Sequence, residues 1–277
     1  MRIRKLFRFI RNIGIVCAFI IPAATGAKWF ISSPKARQPQ AVITDDNPST
    51  RYLHTFAPID RLQRPGQVLY RKSYMVSYNR ATKCPNWVLW ELTRDHADGD
   101  IQRPDYAFHE DLAVPAPRAE LTDYRSTGYD RGHICPAGDN KWDAEAMYET
   151  FLLTNICPQD KDLNSGLWNR IEMRCRYWAK KYGRLYIISG PLYLNGDHET
   201  IGHNKIIVPE AFFKVVVCLE GAPRGIAFIC RNTAGSQQAS YVYTIGETES
   251  ITGYTFFPNL DAELAEAVKG RADIKDW

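Results

Sequence analysis

Residues 130–140 read DRGHICPAGDN and bring an acid, a base, a histidine and a cysteine into six positions, beside a proline and two glycines. A packed core strand would not carry this set, because charged groups are expensive to bury unless they are paired. Three interpretations are open at this point: a metal site, a catalytic turn or a polar loop.

The composition around this stretch is that of a globular protein, with 45% hydrophobic and 24% charged residues in 277. The first 44 residues carry eight Lys and Arg and no Asp or Glu. Residues 45–277 therefore carry 27 Lys and Arg against 31 Asp and Glu, a formal charge of −4. The body of the protein lacks the basic excess that is common in proteins that wrap nucleic acid.

The N-terminus predicts a targeting segment. A basic run from Arg2 to Arg11 precedes the apolar residues 13–24 and the small residues 24–27, so residues 1–27 are predicted to be a signal peptide or an N-terminal membrane anchor. The apolar run is shorter than the ~20 residues that span a bilayer, which favours a cleaved signal. We expect an exported, periplasmic or extracellular protein, with a membrane tether left open. A mitochondrial presequence is the alternative, because such segments are also Arg-rich and poor in acids.

Cysteine usage fits export. Cys17 lies in the N-terminal apolar segment, and the other six form an even number that permits disulfides in an oxidising compartment. Their pairing does not follow from spacing, because six cysteines allow 15 connectivities. The absence of C-x-x-C and H-x-H motifs argues against a zinc module. The six are Cys84, Cys135, Cys157, Cys175, Cys218 and Cys230.

The hydrophobic pattern predicts one α+β domain with a central, mostly antiparallel sheet flanked by helices. Residues 28–66 are rich in proline and are predicted to be a linker with an irregular lead-in; the domain is placed at 67–265 and a C-terminal tail at 266–277. Alternation or apolar runs predict strands over 67–79, 86–93, 184–190, 212–220 and 225–232, with the first two as an antiparallel pair.

Two helices are predicted between these groups of strands. Met147, Tyr148, Phe151 and Leu152 suit one face of the first. The second begins near Asn164 or Leu167 and ends at Gly183. Its core face is predicted to hold Leu167, Ile171, Cys175 and Trp178, and a second, polar stripe holds Asn164, Trp168, Glu172 and Arg176. Taken alone, that stripe favours a solvated face with an i,i+4 pair between Glu172 and Arg176.

The DRGH stretch and the polar stripe of the second helix are more specific in combination than either is alone. Asp130-Arg131-Gly132-His133, followed by Asn155, Asn164 and Glu172, resembles the signature of the DNA/RNA non-specific endonuclease family. Further blocks resemble that family in its usual order over roughly residues 70–260. These are FLLTNICPQDKDLNSGLWNRIE (151–172), LYIISGPLY (185–193), VPEAFFKVVV (208–217) and ESITGYTFFPNL (249–260).

The resemblance implies a ββα-metal active site, in which two short strands and a helix hold one divalent cation, usually Mg²⁺, with Mn²⁺ or another divalent cation as substitutes. It implies His133 as general base, Asn164 as the direct metal ligand and Glu172 as the holder of metal-bound water. Arg131 and Arg176 would contact phosphate oxygens, whose geometry suits the guanidinium fork. Asn155 would support the site. The implied substrates are DNA and RNA, and a homodimer stays open.

Other interpretations of the same residues stay open. Asp130 is expected to orient backbone or pair with Arg131, Gly132 to allow a turn that presents His133, and Cys135 to be structural, with a thiol nucleophile as the alternative. His198 and His203 are expected to be ordinary loop residues. For the whole protein, the alternatives are an inactive nucleic-acid-binding or envelope-associated relative of the same fold, and a zinc hydrolase or thiol enzyme.

Overall fold

A computed structural model describes residues 49–103, 108–233 and 241–277. The predicted signal or anchor at 1–27 and the predicted linker up to residue 48 lie outside these residues. Within the described ranges, no helix has the length and apolar character needed to cross a bilayer.

The main sheet has seven antiparallel strands in the spatial order β12-β11-β10-β7-β4-β3-β2. The strands of the described residues are β1 Ile59–Asp60, β2 Gln67–Tyr70, β3 Tyr74–Asn79, β4 Cys84–Thr93, β5 Asp130–His133, β6 Ile156–Gln159, β7 Arg184–Leu192, β8 Thr200–Ile201, β9 Ile206–Ile207, β10 Ala211–Cys218, β11 Arg224–Arg231, β12 Val242–Tyr243 and β13 Tyr254–Thr255. The α-helices are α1 Arg94–Asp98, α2 Ala144–Glu149, α3 Asn169–Tyr182, α4 Ile245–Thr252 and α5 Ala262–Lys269.

Side chains alternate between the two faces of this sheet and build a core on each. On one face, residues such as Trp90 and Phe212 pack with Trp168 and the apolar side of α3. On the other face, residues such as Phe213 and Ile188 pack with Ile245, Phe256 and Val268 from the C-terminal segment. The antiparallel α+β architecture expected from the sequence is confirmed.

The predicted single strand over 67–79 is wrong, because it is a hairpin of β2 and β3. Lys72 and Ser73 turn the chain, and the Arg71 N–H donates to the Tyr74 carbonyl at 2.8 Å. The stretch carries no Gly, Asn or Asp at this turn, so the turn left no signal in the sequence. The pairing of β3 with β4 is as predicted.

The segments outside the predicted domain also carry structure. Arg51–Phe56 forms a 3₁₀ helix and β1 pairs with β13, inside the segment predicted as linker. At the other end, Trp277 stacks near Trp178, with ring centroids 4.5 Å apart. Chain segments at both ends of the described region thus contact the domain.

A small ββα unit lies beside the main sheet. β5 and β6 pair antiparallel, with His133 opposite Ile156, and a helical segment follows. DRGH is therefore a strand and not the turn expected from the sequence.

The helical segment begins at Leu163–Trp168, is kinked by non-helical φ and ψ at Gly166, and continues as α3. Asn164 therefore lies before the kink, and the predicted continuous helical stripe from Asn164 to Arg176 is wrong. The helix ends at Gly183, as predicted, where a φ of 100° favours glycine.

The first predicted helix is shorter than its apolar spacing indicates. α2 ends at Glu149, so Phe151 and Leu152 follow the helix instead of lying on its face.

The six described cysteines are all buried and free. Disulfides, which their even number permits, are not formed in this structure.

Candidate active site

One cleft of about 390 Å³ brings together most of the residues that the sequence singled out. Five of the six predicted site residues line it, and the sixth, Asn155, lies behind it. The lining residues are Arg103, Arg131, His133, Pro136, Ala137, Gly138, Lys141, Met147, Asn164, Asn169, Glu172 and Arg176. The ββα unit supplies this set because β5 and the helical segment that begins at Leu163 face the same space.

His133 ends β5 and holds its imidazole between two aromatic rings. The ring centroids of Phe108 and Phe151 each lie 5.0 Å from that of His133. Its Nε2 has no hydrogen-bond partner among the described residues. Burial, together with the charge of Arg103, lowers the pKa of His133 to about 3. The imidazole is therefore neutral at pH 7, and one of its ring nitrogens is unprotonated.

Gly132 is needed for a steric reason and not for a special backbone conformation. Its φ lies outside the left-handed region. A Cβ at this position would lie 2.1 Å from Oε1 of Gln159, which is on the paired strand β6. Any side chain at residue 132 would therefore push β5 and β6 apart.

Asn164 and Asp130 form a direct contact between the segment Leu163–Trp168 and β5. Nδ2 of Asn164 donates to Oδ2 of Asp130 at 2.9 Å. A carboxylate only accepts hydrogen bonds, so this contact fixes which end of the amide faces Asp130 and leaves Oδ1 of Asn164 for another partner. The expectation that Asp130 pairs with Arg131 or orients backbone is corrected: its carboxylate orients the Asn164 amide.

The donors in the cleft fit a hard, largely hydrated divalent cation. The side-chain oxygens of the lining include the amide oxygens of Asn164 and Asn169 and the carboxylate of Glu172, all of the kind that Mg²⁺ prefers. The described residues contain no group of three or more His, Cys, Asp or Glu side chains able to hold a metal ion. A zinc site, which needs several His or Cys ligands, does not fit these residues.

Glu172 and Arg176 lie one turn apart on α3, but Arg176 pairs elsewhere. Nη1 of Arg176 contacts Oδ1 of buried Asp139 at 2.8 Å, and Nε1 of Trp90 donates to the other oxygen of Asp139 at 3.0 Å. Burial raises the pKa of Glu172 to about 7, against the opposing charges of Lys214 and Arg176. The i,i+4 ion pair considered from the sequence is therefore replaced by a pair between Arg176 and Asp139.

Asn155 supports the chain that follows β5. Its Oδ1 accepts from the Cys135 N–H at 2.9 Å, and its Nδ2 donates to the carbonyls of Cys135 at 2.9 Å and Thr150 at 2.8 Å. The side chain is fully buried. Asn155 thus holds the backbone next to His133 without lining the cleft itself.

The cleft is basic although the body of the protein is acidic. Arg131 is exposed, with its guanidinium carbon 4.6 Å from the centre of the Phe108 ring. Sequence reasoning missed Arg103, Lys141 and Asn169. Arg103 packs over Phe151 at 5.2 Å, the same ring that contacts His133. No motif flags Arg103, because it reaches the cleft from a segment far from β5 in the chain.

The fold and the cleft define the class of protein. The family model described as DNA/RNA non-specific endonuclease matches residues 55–263, and the chain belongs to that family. The match begins before the domain start predicted at residue 67.

Relatives of this chain carry nuclease names. It is 37% identical over 207 residues to the mitochondrial nuclease EXOG of Mus musculus, covering 68% of this chain and 56% of that protein. It is 34% identical to the mitochondrial endonuclease G of Bos taurus, covering 70% of each, and 31% identical to a nuclease of Nostoc sp., covering 77% and 81%. The chain thus spans little more than half the length of EXOG.

A solved structure shares the fold. A crystal structure of the EndoG/EndoGI complex superposes with a TM-score of 0.69 at 28% identity, covering 75% of this chain and 93% of that one.

Proposed function

We propose that this protein is a divalent-metal-dependent endonuclease that hydrolyses phosphodiester bonds of DNA and RNA with little sequence preference. One observation carries the proposal. His133, whose buried Nε2 has no hydrogen-bond partner among the described residues, lines the same basic cleft as Asn164 and Glu172. A base, an oxygen ligand for a cation and phosphate-binding cations are the parts that hydrolysis of a phosphodiester requires.

His133 would act as the general base. A neutral imidazole accepts a proton from water at its unprotonated ring nitrogen, and the position of His133 in the lining of the cleft suits a water directed at phosphorus. A bound phosphodiester would place negative charge near Arg103, which lowers the pKa of His133. Substrate binding would therefore raise the basicity of the imidazole when it is needed.

Asn164 would hold the cation through Oδ1, and Glu172 would accept hydrogen bonds from its water ligands. We propose Mg²⁺, with Mn²⁺ or another divalent cation as substitutes. When bound, the ion supplies charge stabilisation to the phosphate oxygens and the leaving alkoxide. A neutral amide ligand leaves the ion most of its charge, and Asp130 keeps that amide oriented.

Arg131, Arg176 and Arg103 would contact phosphate oxygens. Their guanidinium groups offer forked donors to the phosphate backbone, which is the same in every sequence. Contacts of this kind carry no base code, so weak sequence preference follows.

A digestion assay with supercoiled plasmid and with RNA tests the proposal. We expect cleavage of both with Mg²⁺, no cleavage with EDTA, and recovery on adding back the cation. Cleavage in EDTA would overturn the cofactor, and cleavage by His133→Ala at the wild-type rate would overturn the mechanism. Binding without cleavage by wild type would identify the inactive nucleic-acid-binding relative instead.

The cellular location follows from the N-terminus. We propose export to the periplasm or outside the cell, with a mitochondrial location as the alternative that the names of the EXOG and endonuclease G relatives favour. N-terminal sequencing of the mature protein and its fractionation test this, and retention of the first 27 residues in a membrane fraction would identify a tether. Whether the protein forms a homodimer is a separate question, and analytical ultracentrifugation of the purified protein tests it.

A further inference from the structure

Two aromatic rings connect His133 to the arginines of the cleft. The ring centroids of Phe108 and Phe151 are 5.3 Å apart, and each lies 5.0 Å from the centroid of the His133 imidazole. Phe151 belongs to the core and is 2% exposed, whereas Phe108 is half-buried. The imidazole is thus bordered by one core ring and one ring that reaches the surface.

Each of these rings also carries a guanidinium group. The guanidinium carbon of Arg131 lies 4.6 Å from the ring centre of Phe108, and that of Arg103 lies 5.2 Å from the ring centre of Phe151. Both arginines and His133 line the cleft, but neither ring is part of the lining. The rings therefore act on the cleft through the side chains that they contact.

An aromatic ring holds an arginine differently from a carboxylate. Arg176 is bound to Asp139, which occupies one of its N–H donors and offsets its charge. A ring attracts a guanidinium through its quadrupole and accepts no conventional hydrogen bond, so Arg131 keeps its donors and its full charge for phosphate. Contact with Phe108 also limits the rotamers of an exposed side chain before the substrate binds.

The backbone fixes the position of Phe108. The N–H of His109 donates to the Phe151 carbonyl at 3.1 Å, and the N–H of Leu153 donates to the His109 carbonyl at 3.0 Å. These bonds join the chain next to Phe108 to the chain that carries Phe151. The ring of Phe108 is therefore attached to a fixed support against which an arginine can be ordered.

We propose that Phe108 is a positioning residue for the nuclease reaction, which holds the guanidinium of Arg131 at its ring and borders the imidazole of His133, so that the phosphate contact and the base keep one relative position. This inference rests on the proposed function. It assigns a role to a residue that touches neither the substrate nor the cation.

Replacing the ring while keeping an apolar side chain tests the role. For Phe108→Leu we expect kcat to fall about tenfold, because the base loses one of its two bordering rings. KM should rise about threefold, because Arg131 must then be ordered by the substrate. Phe108→Tyr keeps the ring and should restore both values to within about twofold of wild type. Equal losses in the two variants would overturn the proposal.

A double-mutant cycle shows whether Phe108 acts through Arg131. In an Arg131→Gln background, Phe108→Leu should change KM less than about 1.5-fold, since residues in contact are not additive. The same threefold rise in KM in both backgrounds would overturn the action through Arg131.

Nuclear magnetic resonance of the metal-free protein gives a readout that does not depend on activity. The side-chain resonances of Arg131 are identified by their loss in Arg131→Gln. A nearby ring shifts these resonances by its ring current, so we expect them to move in Phe108→Leu and to stay in place in Phe108→Tyr. Unchanged Arg131 resonances in Phe108→Leu would overturn the proposal.

A matched control separates this role from a general loss of aromatic packing. Phe56 is also half-buried and stacks on Tyr186 at 4.2 Å, in the core on the opposite face of the sheet from α3. Phe56→Leu should leave KM and the Arg131 resonances unchanged, and changes like those of Phe108→Leu would overturn the specific role. If the wild type cleaves no nucleic acid, the proposed function fails, and the resonance comparison still decides whether Phe108 orients Arg131.

Discussion

Two clusters of charged and polar side chains in this protein differ in the hydrogen bonds made by the group at their centre. In the first, Oδ2 of Asp111 accepts from Nη2 of Arg71 at 2.5 Å and from the Thr154 hydroxyl at 2.6 Å, while Oδ1 accepts from the Ala113 N–H at 3.0 Å. In the second, Nε2 of His133, a residue that lines the cleft, and Nζ of Lys214, a buried residue outside the lining, have no hydrogen-bond partner within the described residues.

This difference separates stabilising charges from those available to a ligand. A buried charge with all its hydrogen bonds made is fixed and has nothing left to bind. A buried polar atom without a partner is costly unless a ligand, an ion or water satisfies it, so such an atom on a residue that lines a cleft is a candidate for binding. We call the two groups the paired cluster (Arg71, Asp111 and Thr154) and the open cluster (His133, Glu172 and Lys214).

The largest effect is expected from His133→Ala in the open cluster. Loss of the general base should lower kcat about 10³-fold. Removing an unpartnered buried nitrogen favours the variant and losing the ring contacts with Phe108 and Phe151 disfavours it, so the melting temperature should change far less than the rate. The control is His198→Ala, since Nδ1 of His198 is paired with Glu210 at 2.8 Å and should not affect cleavage. Equal losses in both variants would contradict the comparison.

Asp111→Ala in the paired cluster should have the opposite profile. It leaves Arg71 buried without its carboxylate and should lower the free energy of unfolding by about 3–5 kcal/mol. Urea denaturation measures this. The folded fraction should keep far more activity than His133→Ala, and a large loss of activity at unchanged stability would show that the two clusters are not distinct in role.

Arg103→Gln should have a smaller effect with a recognisable signature. Losing one charged phosphate contact should raise KM about tenfold. Arg103 lowers the pKa of His133, so its removal should move the acidic limb of the kcat/KM profile to higher pH. A pH–rate profile of the two proteins tests this, and a raised KM with an unmoved limb would assign Arg103 to phosphate binding alone.

The smallest effect is a difference in how stability depends on pH. The pKa of Glu172 is raised in the folded protein from 4.5 to about 7, so its contribution to stability is present below pH 4.5 and is lost as pH rises through about 7. The pKa of His133 is lowered from 6.5 to about 3, so its contribution is present above pH 6.5 and is lost as pH falls toward 3. Glu172→Gln should therefore gain stability relative to wild type as pH rises from 4.5 to 7. Denaturation of both proteins at pH 4.5 and pH 7 measures this. If the difference in free energy of unfolding between Glu172→Gln and wild type is the same at both pH values, Glu172 is solvated and its pKa is not raised.

The sequence by itself determined the local elements and singled out five of the residues that line the cleft. The apolar spacing of Leu167, Ile171, Cys175 and Trp178 set the core face of α3, and Gly183 set its end, because helix periodicity and capping are properties of neighbouring residues. The DRGH stretch, with Asn164 and Glu172 downstream, indicated the family before any contact was known. The hairpin within 67–79 escaped detection because its turn has no characteristic residues.

Only the tertiary structure decided how these residues are paired and charged. Asp130 binds Asn164 across 34 positions of sequence, Arg176 binds Asp139 across 37, and Lys214 reaches the cleft cluster from a central strand. Arg103 joins the cleft from a segment without a motif. Sequence spacing carries no information on such contacts, because burial and charge environment are set by which elements the fold brings together.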